Sequence, residues 1–403
     1  MNIEEMRTAA RAIFDAGVAA ADPYEAVKKA LEASPVPAGA TLIAVGKAAV
    51  RMAGAALETG FAPARCIIVT NPENARDVPG AEVFAAAHPV PDEVGLRAAS
   101  AVESALEAAS ENVLALISGG GSALLPAPAK GLTLQDKIDV SELLLASGAD
   151  ITEMNLVRQN LSRLKGGGMV RAAAPARLRA LILSDVVGDD LRAIASGPTV
   201  APLGSRAAAR HVCESYGIWD RLPGAVQRLL GSDEAAIDVP EAENVLIGSN
   251  TVSVMAMAKA AREFDLPVHI HTPALVGDVE DAARRVAGTT DKGIHLFGGE
   301  TTVQLKGTGK GGRNQELALR VGLHLGRGDW VYLQGGSDGR DGPTDAAGGF
   351  VDAARMDEMK SCVDVLRLLE NNDAYQALKA GDGLLMTGGT GTNVADLGVL
   401  IRA

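Results

Sequence analysis

The chain has 403 residues, 47% apolar and 22% charged, which excludes a disordered chain or a coiled coil and exceeds what one hydrophobic core usually organises. Two domains are therefore expected. A net charge of −12 without any Lys/Arg-rich stripe opposes phosphate backbones and anionic membranes, so neither nucleic acid nor a membrane is an expected partner.

From Ile3 to about Ala21 the apolar residues Met6, Ala10, Ile13, Phe14 and Val18 recur at helical spacing and predict an amphipathic helix. Asp22-Pro23 starts a second helix, with Asp as N-cap and Pro in the first turn. Residues 41–45 form a short apolar run ended by Gly46, and similar runs return at 113–117, 180–183 and 245–247. Ala-rich helical stretches lie between them, including residues 96–109 and 252–264. Apolar strands alternating with helices predict an α/β fold with a mostly parallel sheet covered on both faces, and ligands in such sheets bind beyond the carboxyl ends of the strands.

Between about Pro202 and Glu243 the composition shifts to Gly, Pro, Ser and acidic residues around helical pieces such as 225–230. The domain division is placed there, giving domains 1–235 and 236–403. Beyond it, residues 293–297 and 301–306 read as two strands of a hairpin turned by Gly298-Gly299-Glu300, which predicts a mixed sheet. Cys66, Cys213 and Cys362 are widely separated and in no CxxC pattern. With no signal-peptide pattern at the N-terminus and no apolar run long enough to span a bilayer, they point to the cytoplasm.

The unusual residues concentrate in turns after strands. Ser118, Gly119, Gly120, Gly121 and Ser122 follow the run 113–117, and three glycines let successive N–H groups point into one concavity, the usual seat of a phosphate. A tight turn is the alternative; the flanking serines and the buried strand favour an anion. No Gly-Lys-Ser/Thr follows, so this is not a P-loop. Lys47 stands just after the first strand with small residues around it, a candidate to hold a transferring phosphoryl group. His88 opens the segment His88-Pro89-Val90-Pro91-Asp92, where two prolines fix the backbone and can present the ring to a cleft.

Residues 307–312 match the dinucleotide pattern G-x-G-x-x-G, but late in the chain, after the expected hairpin, and with Lys310 and Arg313 in or just beyond the loop. Charged oxygens suit such a loop better than close pyrophosphate packing, and both readings stay open. Phosphoryl transfer also needs carboxylates for Mg²⁺ and for the attacking hydroxyl. Two acidic loops qualify, residues 184–190 and 337–345. Asp189 and Asp190 are adjacent like charges that favour a functional role with a cation, whereas turn chemistry accounts at least as well for Asp341 and Asp345. His269 and His271 have strand spacing without an evident third metal ligand. Thr387, Gly388, Gly389, Thr390 and Asn393 belong to a last Gly/hydroxyl loop, which contacts phosphate oxygens or merely turns the chain.

Taken in order, Val45–Ala48, His88–Asp92, Ser118–Leu124, Asn155–Arg158 with Leu164–Gly167, Ser184–Pro198, Gly299–Thr302, Gly312–Glu316 and Asp338–Asp345 resemble the class II glycerate kinases, the family with a C-terminal MOFRL domain, some of whose members carry a hydroxypyruvate reductase label. Val187 stands where the family pattern commonly has Pro, and residues 334–337 also depart from it.

The resemblance implies a Rossmann-like, three-layer N-terminal domain and a smaller C-terminal α/β domain with a mixed sheet, with the active site in the cleft between them. It implies ATP-dependent phosphorylation of D-glycerate at the 2-position, with Mg²⁺ or another divalent cation. Lys47 and Arg313 would be the catalytic cations and, with His88, the substrate contacts. Asp189 would be the base or, with Asp190, a metal-side carboxylate. Residues 118–122 and the 387–393 loop would line the nucleotide. The rivals are an NAD(P)H-dependent hydroxypyruvate reductase using residues 307–312, and a non-catalytic carboxylate or nucleotide sensor. The sequence sets no oligomeric state and admits a homodimer.

Overall fold

The computed structural model describes residues 1–232, 238–271 and 275–403. The chain forms two compact units, residues 23–184 with 189–247, and residues 1–22, 185–188 and 248–403. The expected division at 235/236 lies outside the described residues. The units are discontinuous because the first helix, Ile3–Ala20, buries Met6, Ile13 and Phe14 against Val254, Met257, Val331 and Leu333 of the second unit. Its N-terminus is fixed by a capping box between Asn2 and Glu5.

The first unit holds a six-stranded sheet made of β1 (Thr41–Val45), β2 (Arg65–Thr70), β3 (Glu82–Ala85), β4 (Asn112–Ile117), β5 (Arg177–Leu183) and β6 (Glu243–Gly248), in the order β3-β2-β1-β4-β5-β6. The pairs β2–β3, β1–β2, β1–β4 and β4–β5 are parallel. Continuous burial of β1 and of Val113–Ile117 explains why these strands read as unbroken apolar runs. The order is that of doubly wound sheets, and it reverses between β1 and β4, where such folds open a crevice for ligands. A helical cluster completes this unit, with Val140, Leu144, Val157, Leu161, Val212 and Val226 in its core.

The second unit contains a separate mixed sheet of β7 (Val268–Ile270), β8 (Leu275–Asp278), β9 (Gly293–Thr302), β10 (Trp330–Gly336), β11 (Gly348–Asp352), β12 (Leu384–Leu385) and β13 (Asp396–Arg402). Parallel β7–β9 and β8–β9 pairs adjoin antiparallel β9–β13, β13–β10 and β10–β11 pairs. Alternation along β10 sends Val331 and Leu333 into the core shared with the first helix, and Trp330 and Tyr332 into the core on the other face.

One expectation is corrected. Residues 293–302 form a single strand, not a hairpin. Gly298 and Gly299 are there for close approach: a Cβ on Gly298 would lie 2.1 Å from Asn250 Oδ1, and one on Gly299, at φ 150°, would lie 2.4 Å from the Leu275 carbonyl oxygen.

Candidate functional site

In the first unit, the register Val45↔Ile117 makes residues 46–47 and 118–121 leave the sheet side by side at its reversal point. Gly46 has φ +126°, and a Cβ on it would meet Ser118 Oγ at 2.2 Å. Ser118 Oγ accepts the Ala48 N–H at 3.1 Å, so this hydroxyl joins the two turns. The Lys47 N–H donates to the Gly119 carbonyl at 2.9 Å. A Cβ on Gly120 would lie 3.2 Å from Lys47 Cγ and 3.3 Å from His88 Cδ2, so both predicted side chains stand over the glycine loop. Desolvation of the ring, then the charge of Lys47, hold His88 below the usual imidazole range. Among the described residues the Lys47 ammonium has no carboxylate partner, and the N–H groups of Gly119, Gly120 and Gly121 have no acceptor. A cation beside free amides can receive an oxyanion.

The two adjacent aspartates of this unit differ. Asp190 accepts from Arg192 at Nε (3.0 Å), Nη2 (2.8 Å) and N (2.9 Å), and the Arg192 side chain pulls its pKa down. Asp189 has φ 55°, uncommon for a residue with a Cβ, and its Oδ1 is buried with no hydrogen-bond partner among the described residues. Sequence reasoning missed Lys165 as a site residue. Its ammonium donates to Ser122 Oγ at 2.6 Å, Ser122 shares a hydrogen bond with Ser196 at 2.8 Å, and Ser196 donates to Asn155 at 3.0 Å. Ser122 is thus fixed from behind by a lysine far along the chain.

In the second unit Arg313 opens the helix Arg313–Leu325. Asp396 receives its Nε at 2.6 Å and Nη2 at 3.0 Å, and Glu300 receives Nη1 at 2.9 Å. Desolvation opposes the guanidinium charge, but these carboxylates outweigh it and raise the Arg313 pKa. Burial raises both Asp396 and Glu300, while Arg313 draws each down. Asp185, Glu300, Arg313, Asp338, Asn393 and Asp396 line a cavity of about 220 Å³. A larger cavity of about 580 Å³ gathers Glu280, Glu316 and Arg320, whose charges already pair with one another, and contains none of the predicted residues. Among the described residues no three His, Cys, Asp or Glu side chains group tightly enough to hold a metal ion.

The remaining loops have structural occupants. Asp341 is buried and caps the Arg313 helix from outside, accepting the N–H of Asn314 at 3.1 Å and of Gln315 at 2.8 Å; burial pushes its pKa up to about 6. Asp345 accepts the Tyr375 hydroxyl at 2.9 Å. In the 387–393 loop, Thr390 Oγ1 donates to the Ser337 carbonyl and Thr392 Oγ1 to that of Ala21, each at 2.5 Å, whereas Asn393 reaches the Arg313 cavity. His269 and His271 do have a third histidine, His295, brought opposite His269 by the β7–β9 pairing. The rings of His269 and His271 each stack on His295; His271 Nε2 meets His295 Nδ1 at 2.9 Å and His295 Nε2 meets the Asp291 carbonyl at 2.9 Å, so both His295 nitrogens are engaged, while His269 Nε2 is buried without a partner among the described residues.

The 307–312 loop is also filled. Asn372 Oδ1 accepts the N–H of Lys306 (2.6 Å) and Gly307 (3.0 Å), Asn371 accepts those of Thr308 (3.2 Å) and Gly309 (2.9 Å), and Asp373 accepts that of Lys310 (3.1 Å).

A doubly wound sheet whose reversal point carries a lysine unpaired among the described residues, and a mixed-sheet unit presenting an arginine among carboxylates, define a two-unit α/β protein suited to anionic substrates. Family comparison narrows this. Residues 9–231 match the domain of unknown function DUF4147, and residues 293–396 match the MOFRL family. The chain is 39% identical to the D-glycerate 2-kinase of Thermotoga maritima over 98% of each chain, and 37% identical to the glycerate 2-kinase of Pyrococcus horikoshii, covering 95% of this chain and 94% of the other. A protein of Agrobacterium vitis with a provisional hydroxypyruvate reductase label is 39% identical over 98% of this chain and 94% of its own. The crystal structure of the Thermotoga maritima glycerate kinase superposes with a TM-score of 0.93 at 37% identity, over 99% of this chain and all of that one. The chain belongs to the glycerate 2-kinase family, a family of kinases with DUF4147 and MOFRL domains.

Proposed function

We propose that this protein transfers the γ-phosphoryl group of ATP to the 2-hydroxyl of D-glycerate, giving 2-phospho-D-glycerate, in a cleft between its two domains and in the cytoplasm. The observation that carries the proposal is Lys47, at the reversal point of the parallel sheet and beside the amides of Gly119 to Gly121, the cation without a carboxylate and the amides without an acceptor among the described residues. Catalysis of phosphoryl transfer is mostly positioning and charge neutralisation, which suits such a site.

In this reading Lys47 and Arg313 neutralise the γ-phosphoryl oxygens, and His88 contacts glycerate. The glycine amides and Ser122, with the Thr387–Asn393 loop, take the nucleotide. Asp189 accepts the proton of the attacking hydroxyl, and its buried, unpartnered Oδ1 supports that role. A divalent cation such as Mg²⁺, brought in with ATP, would neutralise phosphate charge, and the chain would need to offer it only one or two carboxylates. Asp189 could serve that cation instead of acting as the base, while Asp190 is committed to Arg192. Three free cysteines support a reducing compartment. A hydroxypyruvate reductase would need the 307–312 amides for its dinucleotide, and from Lys306 to Lys310 they are already taken.

The test is an assay with ATP, Mg²⁺ and D-glycerate, read through enolase with and without phosphoglycerate mutase, and run beside NADH oxidation by hydroxypyruvate. Product consumed by enolase alone is expected, and Lys47→Ala should lower turnover about 10²–10³-fold. Product that requires the mutase, or NADH oxidation in place of phosphotransfer, overturns the reading.

A further inference from the structure

The parallel-sheet unit holds three basic side chains close to one another: Lys165, which fixes Ser122, and Lys137 and Arg158, to which neither the glycine loop nor the Arg313 cavity gives a task. Lys137 and Lys165 retain 7% and 5% of their surface, and Arg158 lies on the neighbouring helix Ile151–Asn160. Among the described residues none of the three forms an ion pair; their charged neighbours are one another and Arg163, whose own charge is met by Glu103. Lys137 donates to the Leu161 carbonyl at 3.2 Å, a neutral acceptor that satisfies one N–H and cancels no charge.

The cluster adjoins the glycine loop. Lys165 donates to Ser122 Oγ at 2.6 Å and also to the Ser122 carbonyl. Through Ser122 and Ser196 it is linked to Asn155, which shares a helix face with Arg158 and Gln159 three and four residues on. Gln159 Nε2 in turn donates to the carbonyls of Arg192 (2.8 Å) and Ser196 (3.2 Å). Ala195 and Ser196 have φ 50° and 61°, consecutive left-handed residues with a Cβ, held in place by these bonds.

Removing a charge from water costs several kcal/mol, and folds ordinarily cover that cost with an opposite charge. Here three basic groups gather without a carboxylate, so that charging one opposes charging the next, where methionines of similar volume would make a more stable interior. A counter-ion from outside the chain resolves the conflict. Burial and the neighbouring arginines push Lys137 down to about 7 and, with Lys137, push Lys165 well below the usual range, so an arriving anion would find groups that take up protons to meet it.

We propose that Lys137, Arg158 and Lys165 form an oxyanion subsite behind Ser122, which receives one anionic group of the substrates. Carboxylate of glycerate and phosphate of the nucleotide share the required chemistry. The identity of the donor rests on the kinase reading; the existence of the subsite does not.

The experiment uses the full chain with Lys137→Met, Lys165→Met and the milder Arg158→Gln. Thermal unfolding is followed alone, with D-glycerate, with a non-hydrolysable ATP analogue plus Mg²⁺, and with inorganic phosphate; KM is measured for both substrates. The expected result is an unchanged or higher unliganded Tm in the methionine variants, loss of the Tm rise caused by one substrate, and a rise of about 10–100-fold in its KM with the other KM within about twofold. A lost glycerate response assigns the carboxylate, and a lost analogue response the nucleotide. Variants that lose several degrees without ligand yet keep every ligand response overturn the proposal, and Arg158→Gln decides the matter if the methionine variants do not fold. Wild type that responds to phosphate but has no kinase turnover, with that response lost in the variants, sustains the subsite and sinks the kinase reading. Normal turnover with unchanged responses in all variants does the reverse.

Discussion

Replacing Arg313 separates what this residue does for stability from what it does for turnover. Asp396 is 2% exposed and gives its two carboxylate oxygens to the guanidinium at 2.6 and 3.0 Å, with the Asn314 amide as a further donor at 3.0 Å. Arg313→Met leaves that carboxylate buried with one neutral donor. Breaking a buried pair from one side costs about 3–5 kcal/mol, and the surviving Asn314 bond together with proton uptake by Asp396 places this case near about 3 kcal/mol. Burial already raises the Asp396 pKa, and losing Arg313, which draws it down, raises it further. A carboxyl with a folded pKa above its unfolded value near 4 holds the extra proton in the folded state. The cost is therefore absent below about pH 4, grows as pH rises, and is complete above the folded pKa. Urea denaturation should show the full loss at pH 8 and a smaller one at pH 5. Adding Asp396→Asn removes the unpaired charge and should recover most of the stability at pH 8, with turnover still down about 10²–10³-fold. A double variant that regains turnover, or an Arg313→Met loss equal at both pH values, refutes the view that Asp396 serves to hold a catalytic Arg313.

Lys137, at about 7 in the folded state against 10.5 unfolded, binds fewer protons when folded anywhere between those values, so stability should climb as pH rises through that window, by at most about 5 kcal/mol at 1.36 kcal/mol per unit. Denaturation at pH 7, 8 and 9 should show a slope in wild type that Lys137→Met lacks; parallel curves would remove the argument. Gly312→Ala puts a Cβ 2.3 Å from Asp341 Cγ and displaces the cap of the Arg313 helix, a loss of about 2–4 kcal/mol; a measured loss under about 0.5 kcal/mol contradicts it. Asp189→Asn should lower kcat about 10²–10⁴-fold while Asp190→Asn, whose carboxylate only holds Arg192, stays within about threefold, and equal effects on kcat would reverse the assignment.

The parallel sheet was legible because β1, residues 113–117 of β4 and residues 180–183 of β5 are buried and apolar without a break. β13 was harder to read. It begins with Asp396, the partner of Arg313, and Gly398 is required where a Cβ would lie 2.5 Å from Gln334 Oε1, so polar and glycine positions break an otherwise apolar strand. Lys47 and Arg313 stood out locally, as cations in glycine-rich turns. Nothing beside Lys137 distinguishes it from a solvated lysine, and although Lys165 precedes Gly166-Gly167-Gly168 its neighbours in sequence do not show that it is buried against Ser122, because burial of both arises from helices and loops remote in sequence.

The two glycine loops make the same point from the opposite side. Residues 118–121 and 307–312 both place glycines after strands, and sequence alone permits an anion at either. In the first, the glycines leave space and amides: Gly120, at φ +84°, has Lys47 and His88 side chains near it, and the N–H groups of Gly119 to Gly121 lack acceptors among the described residues. In the second, the glycines are small because the segment Asn371–Ala374 presses on them, with a Cβ on Gly307 or Gly309 falling 2.4 or 2.5 Å from the Asn371 carbonyl oxygen. There the side chains of Asn371, Asn372 and Asp373 have the place that phosphate oxygens would take. A glycine-rich loop is thus an anion site only where the rest of the chain declines to fill it, which is why the kinase reading rests on the loop beside Lys47 and the reductase reading loses its dinucleotide seat.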